Sequence, residues 1–250
     1  MQVPGDGTPL QQALVALTFL TRLPLRAPHL NLAACAWAFP LAGLVVGLAS
    51  GLAFLAATGL GLNTIAGALI ALAAGMLLTG ALHEDGLADT ADGLGGRDRE
   101  RRLEIMRDSR IGSFGVLALM VTVGLKLSAL ASLPAGQVMP ALIGAAILSR
   151  AFAVPSLCLL PPARDDGLGA SAARPAAAQA WIALALAIAV LLLLFGAGQG
   201  LRVLLWAGLA AAAVAIAARR IFGGQTGDVL GAQIMVAETA ALLALGVPGD

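Results

Sequence analysis

The sequence predicts an all-α fold, a polytopic membrane helical bundle of about seven transmembrane helices preceded by an N-terminal interfacial or re-entrant helix. Three observations support this prediction. Of the 250 residues, 59% are hydrophobic and 12% are charged, whereas a soluble domain carries about 25% charged residues. Uncharged apolar runs reach about 20 residues, the length that crosses a bilayer core. Basic residues are concentrated in alternate loops. We therefore treat residues 1–250 as a single membrane domain.

The predicted elements follow one another along the whole chain. Residues 11–25 are apolar but short, with Arg22 and Pro24 near the end, which suits an interfacial or re-entrant helix better than a full span. In the first long segment, Gly43, Gly47 and Gly51 recur every four residues, a spacing that lets helix backbones pack closely in lipid. Seven long apolar segments are predicted, at 33–58, 64–82, 111–133, 138–160, 176–195, 201–218 and 229–247.

The placement of charge predicts the orientation of the bundle. Six arginines lie between residues 97 and 110, whereas the loops at 59–63 and 134–137 carry no charge. Because cytoplasmic loops are enriched in Lys and Arg, we expect the basic loops and the N-terminus in the cytoplasm and the C-terminus outside. Arg202 is an exception to this alternation. The polar stretch 97–108 is expected to lie along the membrane surface.

One acidic cluster stands out after the second long segment. Asp85, Asp89 and Asp92 recur at i, i+4 and i+7, so on a helix they share one face. Three carboxylates at low dielectric repel one another unless a cation binds them, and hard oxygen ligands suit Mg²⁺ or Mn²⁺. Since Mg²⁺ also takes phosphate oxygens, the cluster indicates a diphosphate substrate. His83 is a candidate general base or hydrogen-bond partner. The alternative is a solvated loop whose acids face water.

Two further polar segments precede apolar ones and are candidates for binding phosphate. Arg107, Ser109 and Arg110 lie at a helix start and form a candidate phosphate clamp, although arginines there also fit anchoring at the cytoplasmic surface. A glycine-rich stretch before the last segment is a candidate anion cradle, the alternative being a plain turn with an N-cap. Its candidate binding residues are Gly223, Gly224, Thr226 and Gly227, and Asp228 is a further candidate metal ligand.

Three ionisable residues lie within predicted spans. Lys126, Arg150 and Glu238 are costly at that depth, so each is a candidate for function. Lys126 is near enough to one end of its segment to extend toward the outer side. The alternative for all three is structural ion pairing, with Glu238 the partner of either cation.

The ordered set of these motifs resembles the cobalamin synthase family, also called adenosylcobinamide-GDP ribazoletransferase. Glu84 departs from the resemblance, because an apolar residue is expected there. The pair Asp165 and Asp166 fits the family's acidic pair at that point. The motifs that carry the resemblance are Thr21-Arg22-Leu23-Pro24, His83, Asp85-Gly86-Leu87-Ala88-Asp89-Thr90, Asp92-Gly93, Met106-Arg107-Asp108-Ser109-Arg110, Ser149-Arg150, Gly167-Leu168-Gly169, Gly223-Gly224-Gln225-Thr226-Gly227-Asp228 and Gly231-Ala232.

The resemblance implies an Mg²⁺-dependent phosphotransferase of the bacterial inner membrane. Such an enzyme joins adenosylcobinamide-GDP to α-ribazole or its 5′-phosphate, yields adenosylcobalamin or its 5′-phosphate, and releases GMP. The metal would be bound by Asp85, Asp89, Asp92 and Asp228, and Asp89, Asp92 or His83 would be the base. The substrate-binding candidates are Arg107, Ser109, Arg110, Gly223, Gly224, Thr226, Gly227, Arg22, Arg150 and Lys126. We expect no nucleic-acid partner, and the sequence leaves homo-oligomer formation open.

Two other classes of membrane protein compete with this interpretation. A phosphotransferase of the CDP-alcohol type also uses aspartates and glycines at the cytoplasmic ends of helices. Its pattern has Arg after Asp-Gly-x-x-Ala, whereas Asp89 follows Ala88 here. A transporter would use Arg150, Lys126 and Glu238 as a midplane site, but it would need repeats or broken helices in matching halves, which the sequence does not indicate.

Overall fold

Helices joined by short loops make up the part of the chain described by this computed structural model, residues 7–164 and 174–247. Within it the only β-type pairing is an isolated bridge between Pro162 and Gln225. The helices are α1 (Pro9–Leu20), α2 (Leu32–Cys35), α3 (Phe39–Gly59), α4 (Thr64–Thr79), α5 (Leu82–Gly93), α6 (Arg99–Ile105), α7 (Ser113–Ser132), α8 (Ala135–Leu159), α9 (Ala177–Ile221) and α10 (Gly227–Gly246), with a 3-10 turn (Ala36–Ala38) before α3. The all-α prediction is confirmed.

Five helical stretches are long and apolar enough to cross a membrane, judged by length and composition within the described residues. The longest, α9, has 45 residues, about 68 Å at 1.5 Å per residue, roughly twice a bilayer core of about 30 Å. Gly196 interrupts it with φ 69° and ψ 179°, a non-helical conformation that glycine adopts readily. The two arms, 177–195 and 197–221, correspond to two separate predicted segments.

A right-angled bend separates α4 from α5. Gly80 ends α4 in the left-handed conformation, with φ 65°, and Ala81 follows with φ 56°. The axis of α5 is therefore bent by 89° from that of α4. Since α5 is also far more polar than the spanning helices, we treat it as lying across one end of the bundle, outside the spanning segments.

The centre of the bundle is α8, which packs against α3, α9 and α10. Of the apolar window of α8, 72% is buried, against 22% for α9, so α9 lies at the periphery. On α3, Gly43 and Gly47 face the backbone of α8 at Ala146 and Ile143 with no room for a side chain. The predicted close packing through glycines is confirmed.

The short N-terminal helix α1 begins with a capping box. Thr8 accepts a hydrogen bond from the backbone N–H of Gln11, whose side chain accepts one from the N–H of Thr8. Its 12 residues span about 18 Å, too short for a bilayer core. Ala16 and Leu20 are buried in the main core of the bundle. These properties agree with the predicted interfacial or re-entrant helix.

Candidate active site

The acidic helix α5 crosses the N-terminal end of α10 at two glycines. A Cβ added to Gly86 would lie 2.7 Å from the carbonyl oxygen of Asp228, and one added to Gly231 would lie 3.3 Å from the Cα of His83. Contacts under 3.0 Å are not made by real Cβ atoms, so the helices meet backbone to backbone. This junction brings Asp228 to Asp85 and Asp89, although more than 130 residues of sequence separate them.

The electrostatics of this junction are those of crowded negative charge. Burial, and after it the neighbouring carboxylates of Asp85, Asp228 and Asp92, together raise the pKa of Asp89 to about 7, against a smaller opposite effect of Arg164. Arg164 forms an ion pair with Asp228 at 2.9 Å. One arginine beside several carboxylates leaves the site short of positive charge. An added cation or a proton relieves that repulsion.

Asp92 has a different task from the one its spacing predicts. Its carboxylate accepts hydrogen bonds from the backbone N–H of Gly112 at 2.7 Å and of Gly115 at 2.8 Å. These amides begin α7, so Asp92 caps that helix from another one, where its charge also interacts favourably with the helix dipole. Both oxygens are used and the residue is only 9% exposed. The structure therefore assigns Asp92 to holding α7 rather than to the metal set.

The predicted arginine clamp lies in a separate, open groove. Arg110 is exposed and forms an ion pair with Asp108 at 2.6 Å, and hydrogen bonds from Arg110 lower the pKa of Asp108 to about 2. The groove has a volume of about 610 Å³, and Arg107 and Arg110 line it together with Arg101, which sequence reasoning did not single out. Ser109 is exposed beside them. The groove adjoins the acidic site through Asp92, a wall residue.

The glycine-rich segment before α10 is mostly committed to internal packing. Gly223 has φ 80°, and the backbone N–H of Gly224 donates to Ala218 at 3.3 Å. The N–H of Gln225 donates to Pro161 at 2.8 Å. The Gly224 and Gln225 amides are therefore used within the protein, so they are not directed at a ligand as the predicted anion cradle requires. Gly227 is exposed beside Asp228.

Thr226 caps α10, as the alternative interpretation of the glycine-rich segment expected. Its hydroxyl accepts a hydrogen bond from the N–H of Val229 at 3.2 Å. The hydroxyl also lies 3.3 Å from the Asp228 carboxylate. Thr226 thus orients Asp228 while it ends the loop.

Two arginines of α6 hold the loops of this face. Arg99 donates to the carbonyl oxygens of Phe222 at 2.8 Å and of Ala163 at 2.9 Å, joining α6 to the loops before α9 and α10. Arg102 donates to Gly96 at 2.8 Å. The sequence shows that Arg99 and Arg102 are charged, but only the fold identifies their hydrogen-bond partners.

The three ionisable residues predicted within spans form one buried network. Lys126 is 2% exposed and its Nζ lies 2.7 Å from Oε1 of Glu238. Arg150 is 3% exposed and pairs with the other carboxylate oxygen, to which Ser149 also donates. The predicted pairing is confirmed, with Glu238 bound to both cations. Lys126 and Arg150 are thus buried in the bundle core and paired there, since an unpaired charge at that depth would be very costly.

Glu84 borders the same core. One of its carboxylate oxygens is buried and has no hydrogen-bond partner among the described residues. Glu84, Lys126, Arg150 and Glu238 line a cavity of about 30 Å³. Two basic and two acidic side chains therefore surround the cavity. This balance of charge explains why an acid, Glu84, is present where the family resemblance leads us to expect an apolar residue.

Known proteins of one family match this chain along nearly its whole length. The family model described as cobalamin-5-phosphate synthase matches residues 12–246. A protein of Bradyrhizobium diazoefficiens named adenosylcobinamide-GDP ribazoletransferase is 48% identical over 250 residues, covering 96% of each chain. Proteins of the same name from Allorhizobium ampelinum and Mesorhizobium japonicum are 42% and 44% identical, covering 93% and 95% of this chain and 95% and 93% of theirs. No solved structure matches.

The chain belongs to the cobalamin-5-phosphate synthase family. This membership favours the first of the three interpretations over a CDP-alcohol phosphotransferase or a transporter. The buried charges that a transporter would use at the midplane are paired with one another. Of the motifs that carry the resemblance, Gly167-Leu168-Gly169 lies outside the described residues, as do Asp165 and Asp166.

Arg22 lies at the bend between α4 and α5. It belongs to the first motif, Thr21-Arg22-Leu23-Pro24, by which the chain resembles the cobalamin-5-phosphate synthase family. Its backbone N–H donates to the carbonyl oxygen of Leu78 at 2.7 Å. Its side chain packs over Gly80, leaving no space there for a Cβ. Arg22 is exposed, so it holds the bend that turns α5 across the bundle while its side chain remains accessible to a ligand.

The carboxylates of the junction fit a hard divalent cation. Within residues 7–164 and 174–247, no group of three or more His, Cys, Asp or Glu side chains is arranged as a ready-made metal site. Mg²⁺ does not need such a group, because it usually binds through one or two carboxylates and takes waters and phosphate oxygens as its other ligands. Asp85 and Asp228, both close enough to Asp89 to act on its charge, would supply donors of that kind in this member of the cobalamin-5-phosphate synthase family.

Proposed function

We propose that this chain transfers the adenosylcobinamide-phosphate group of adenosylcobinamide-GDP to α-ribazole or its 5′-phosphate. The products are adenosylcobalamin or its 5′-phosphate and GMP. The observation that carries the proposal is the meeting of Asp85, Asp89 and Asp228 where α5 crosses α10. The names of its relatives, adenosylcobinamide-GDP ribazoletransferase, support the choice of substrates.

In the proposed reaction a ribose hydroxyl of the acceptor attacks the phosphorus next to the cobinamide. A new P–O bond forms, the P–O bond to the bridging oxygen of the diphosphate breaks, and the electron pair leaves with GMP. The hydroxyl proton goes to Asp89, because a carboxyl whose pKa is about 7 accepts a proton well at neutral pH. Asp92 is excluded from this role by its two hydrogen bonds to α7.

The proposed cofactor is Mg²⁺, with Mn²⁺ as a substitute, bound by Asp85 and Asp228. When bound, the ion supplies positive charge to the phosphate oxygens. Arg164, already paired with Asp228, orients that carboxylate and adds a positive charge close to the diphosphate. Arg107 and Arg110 in the adjoining groove would bind the phosphate of the GMP portion, since guanidinium groups bind phosphate oxygens in pairs.

We further propose that the protein lies in the bacterial inner membrane with this face toward the cytoplasm. The arginines of α6 and its flanking loops support that orientation. The same face carries the junction of α5 with α10. Nucleotide substrates are cytoplasmic, so the site is then on the side where they are available.

The test is a coupled assay with the full chain purified in detergent. Adenosylcobinamide-GDP, α-ribazole and Mg²⁺ are expected to give the cobalamin product and GMP, read by mass, and EDTA is expected to stop the reaction until Mg²⁺ is restored. Asp85→Asn should reduce turnover by about 10²-fold or more. Asp98→Asn, an exposed change at the start of α6, is the control and should leave turnover near the wild-type value. Absence of GMP from the wild-type protein would reject the proposed function.

A further inference from the structure

A mostly apolar cavity of about 100 Å³ lies directly beneath the acidic junction. Its lining side chains are apolar except for His83, Asp85 and Asp228. Asp85 is exposed and Asp228 half-buried, whereas Ala153 and Ile234, which also line the cavity, are buried. The cavity therefore has a polar, accessible mouth at the proposed reaction centre and an apolar interior that extends into the bundle.

Aromatic rings form part of the interior wall. Phe19 of α1 and Phe39 of α3 are stacked, with ring centroids 5.9 Å apart and planes inclined by 22°, and both line the cavity. An apolar cavity of about 150 Å³ is large enough to hold an aromatic ring such as benzene. The cavity here, at about 100 Å³, is smaller than that but open on one side, so it suits the edge of a flat aromatic group that enters from the cytoplasmic side while the rest of the group stays in the mouth.

One buried polar atom in the wall lacks a partner. His83 is 2% exposed, and its Nε2 makes no hydrogen bond within the described part of the chain. Leaving such an atom unsatisfied destabilises a protein, and a native protein normally pairs its buried polar groups. A ligand with one hydrogen-bonding atom on an otherwise apolar ring would remove this deficit.

We propose that this cavity binds the aromatic base of the acceptor nucleoside, with His83 Nε2 donating to the free ring nitrogen of that base. This inference rests on the proposed function. The benzimidazole of α-ribazole has two ring nitrogens, one bonded to ribose and one free, and its remaining edge is apolar. With the base inside, the ribose lies at the mouth beside Asp85 and Asp228, and its hydroxyl is presented to the junction that contains Asp89.

The chemistry of the cavity selects this group among the parts of the two substrates. Guanine has several donors and acceptors that an apolar wall would leave unpaired. A corrin ring is far larger than about 100 Å³. A lipid chain fits the apolar wall but has no atom that can pair with His83.

The test fills the cavity and compares the two substrates. Ala153→Leu places a larger side chain against the interior wall. It should raise the KM for α-ribazole about tenfold or more, since about one methylene in an apolar pocket is worth that much, and leave the KM for adenosylcobinamide-GDP unchanged. The control is Ala212→Leu, the same change at an exposed position of α9, for which both KM values should stay at wild type. A folded Ala153→Leu protein with an unchanged acceptor KM would overturn the proposal and indicate lipid or water as the occupant.

A second variant covers the case in which Ala153→Leu does not fold. Leu157→Ala enlarges the same wall and should favour an acceptor with a bulkier base, such as naphthimidazole, by about tenfold in relative kcat/KM. An unchanged preference would count against the cavity assignment.

Binding of free dimethylbenzimidazole, followed by its fluorescence, separates this inference from the proposed function. We expect the wild-type protein to bind the base and His83→Leu to bind it about tenfold more weakly, as for loss of one hydrogen bond. Turnover by the wild-type protein without binding of the free base, together with a normal acceptor KM in Ala153→Leu, would reject only the cavity. Binding without turnover would reject only the phosphotransfer reaction.

Discussion

At the residue scale, Asp89 and Asp92 lie only three residues apart on α5, yet they have different functions. Asp89 lies among other carboxylates, and its pKa is raised to about 7 by burial and by those neighbours. Asp92 instead accepts hydrogen bonds from two backbone N–H groups at the start of α7. Identical side chains thus differ because their surroundings differ: Asp89 is placed to take up a proton, and Asp92 is placed to cap a helix.

This difference predicts that the two aspartates respond differently to amidation. Asp89→Asn should lower kcat by about 10²-fold or more without lowering the temperature of unfolding. Asp92→Asn keeps one acceptor oxygen but loses the charge and one hydrogen bond at the start of α7, so it should destabilise the protein by about 1–2 kcal/mol. Turnover and thermal unfolding of both variants in detergent check this. Equal stability of Asp92→Asn and the wild-type protein would contradict the capping role.

At the element scale, the site depends on how closely α5 approaches α10. Gly86 and Gly231 lie where the two backbones meet, and both glycines are buried. The bend at Gly80 and Ala81, which have positive φ angles, aims α5 at that contact. The acidic residues are therefore positioned by backbone geometry at three glycines and one strained alanine.

Gly86→Ala should separate the two helices. The added methyl would lie 2.7 Å from the Asp228 carbonyl oxygen, so α5 or α10 must shift, and a displacement of about 1 Å can cost about 10²-fold in rate. Gly124→Ala is the matched control, because nothing lies within 4 Å of a Cβ there and alanine favours a helix by about 1 kcal/mol. We expect turnover to fall only in the first variant. Normal kcat in Gly86→Ala would argue that the close approach is not needed for catalysis.

At the scale of the whole molecule, the buried charges connect helices that are distant in sequence. Glu238 of α10 pairs with Lys126 of α7 and Arg150 of α8. These ion pairs are within the bundle, where desolvation makes an unpaired charge far more costly than at the surface. The network therefore sets the mutual positions of three helices, and α10 in turn carries Asp228 to the junction.

Glu238→Gln should destabilise the fold strongly, because two buried cations would lose their counter-charge. Breaking a buried pair in this way costs about 3–5 kcal/mol. The control is Glu104→Gln, which loses only an exposed ion pair with Arg101, worth about 0–1 kcal/mol. Thermal unfolding in detergent measures both. A similar unfolding temperature for the two variants would mean that the buried network adds little to stability.

Much of the fold followed from the sequence, because a bilayer imposes simple rules on it. Apolar length predicts helices that can span, and glycine spacing predicts close packing, so the positions of α3, α7, α8 and α10 and the glycine contacts of α3 were correct within a few residues. The chemistry of the acidic helix was also visible as a set of carboxylates on one face. These properties are local, and each is written in a short stretch of chain.

Only the tertiary structure decided which partner each polar residue has. Asp92 pairs with α7, the amides of Gly224 and Gln225 pair with nearby carbonyls, and Lys126 and Arg150 share Glu238. The sequence offered these groups as ligands for substrate or metal, since charge and spacing alone do not distinguish an internal partner from an external one. That distinction depends on contacts between residues far apart in the chain, which arise only when the helices pack.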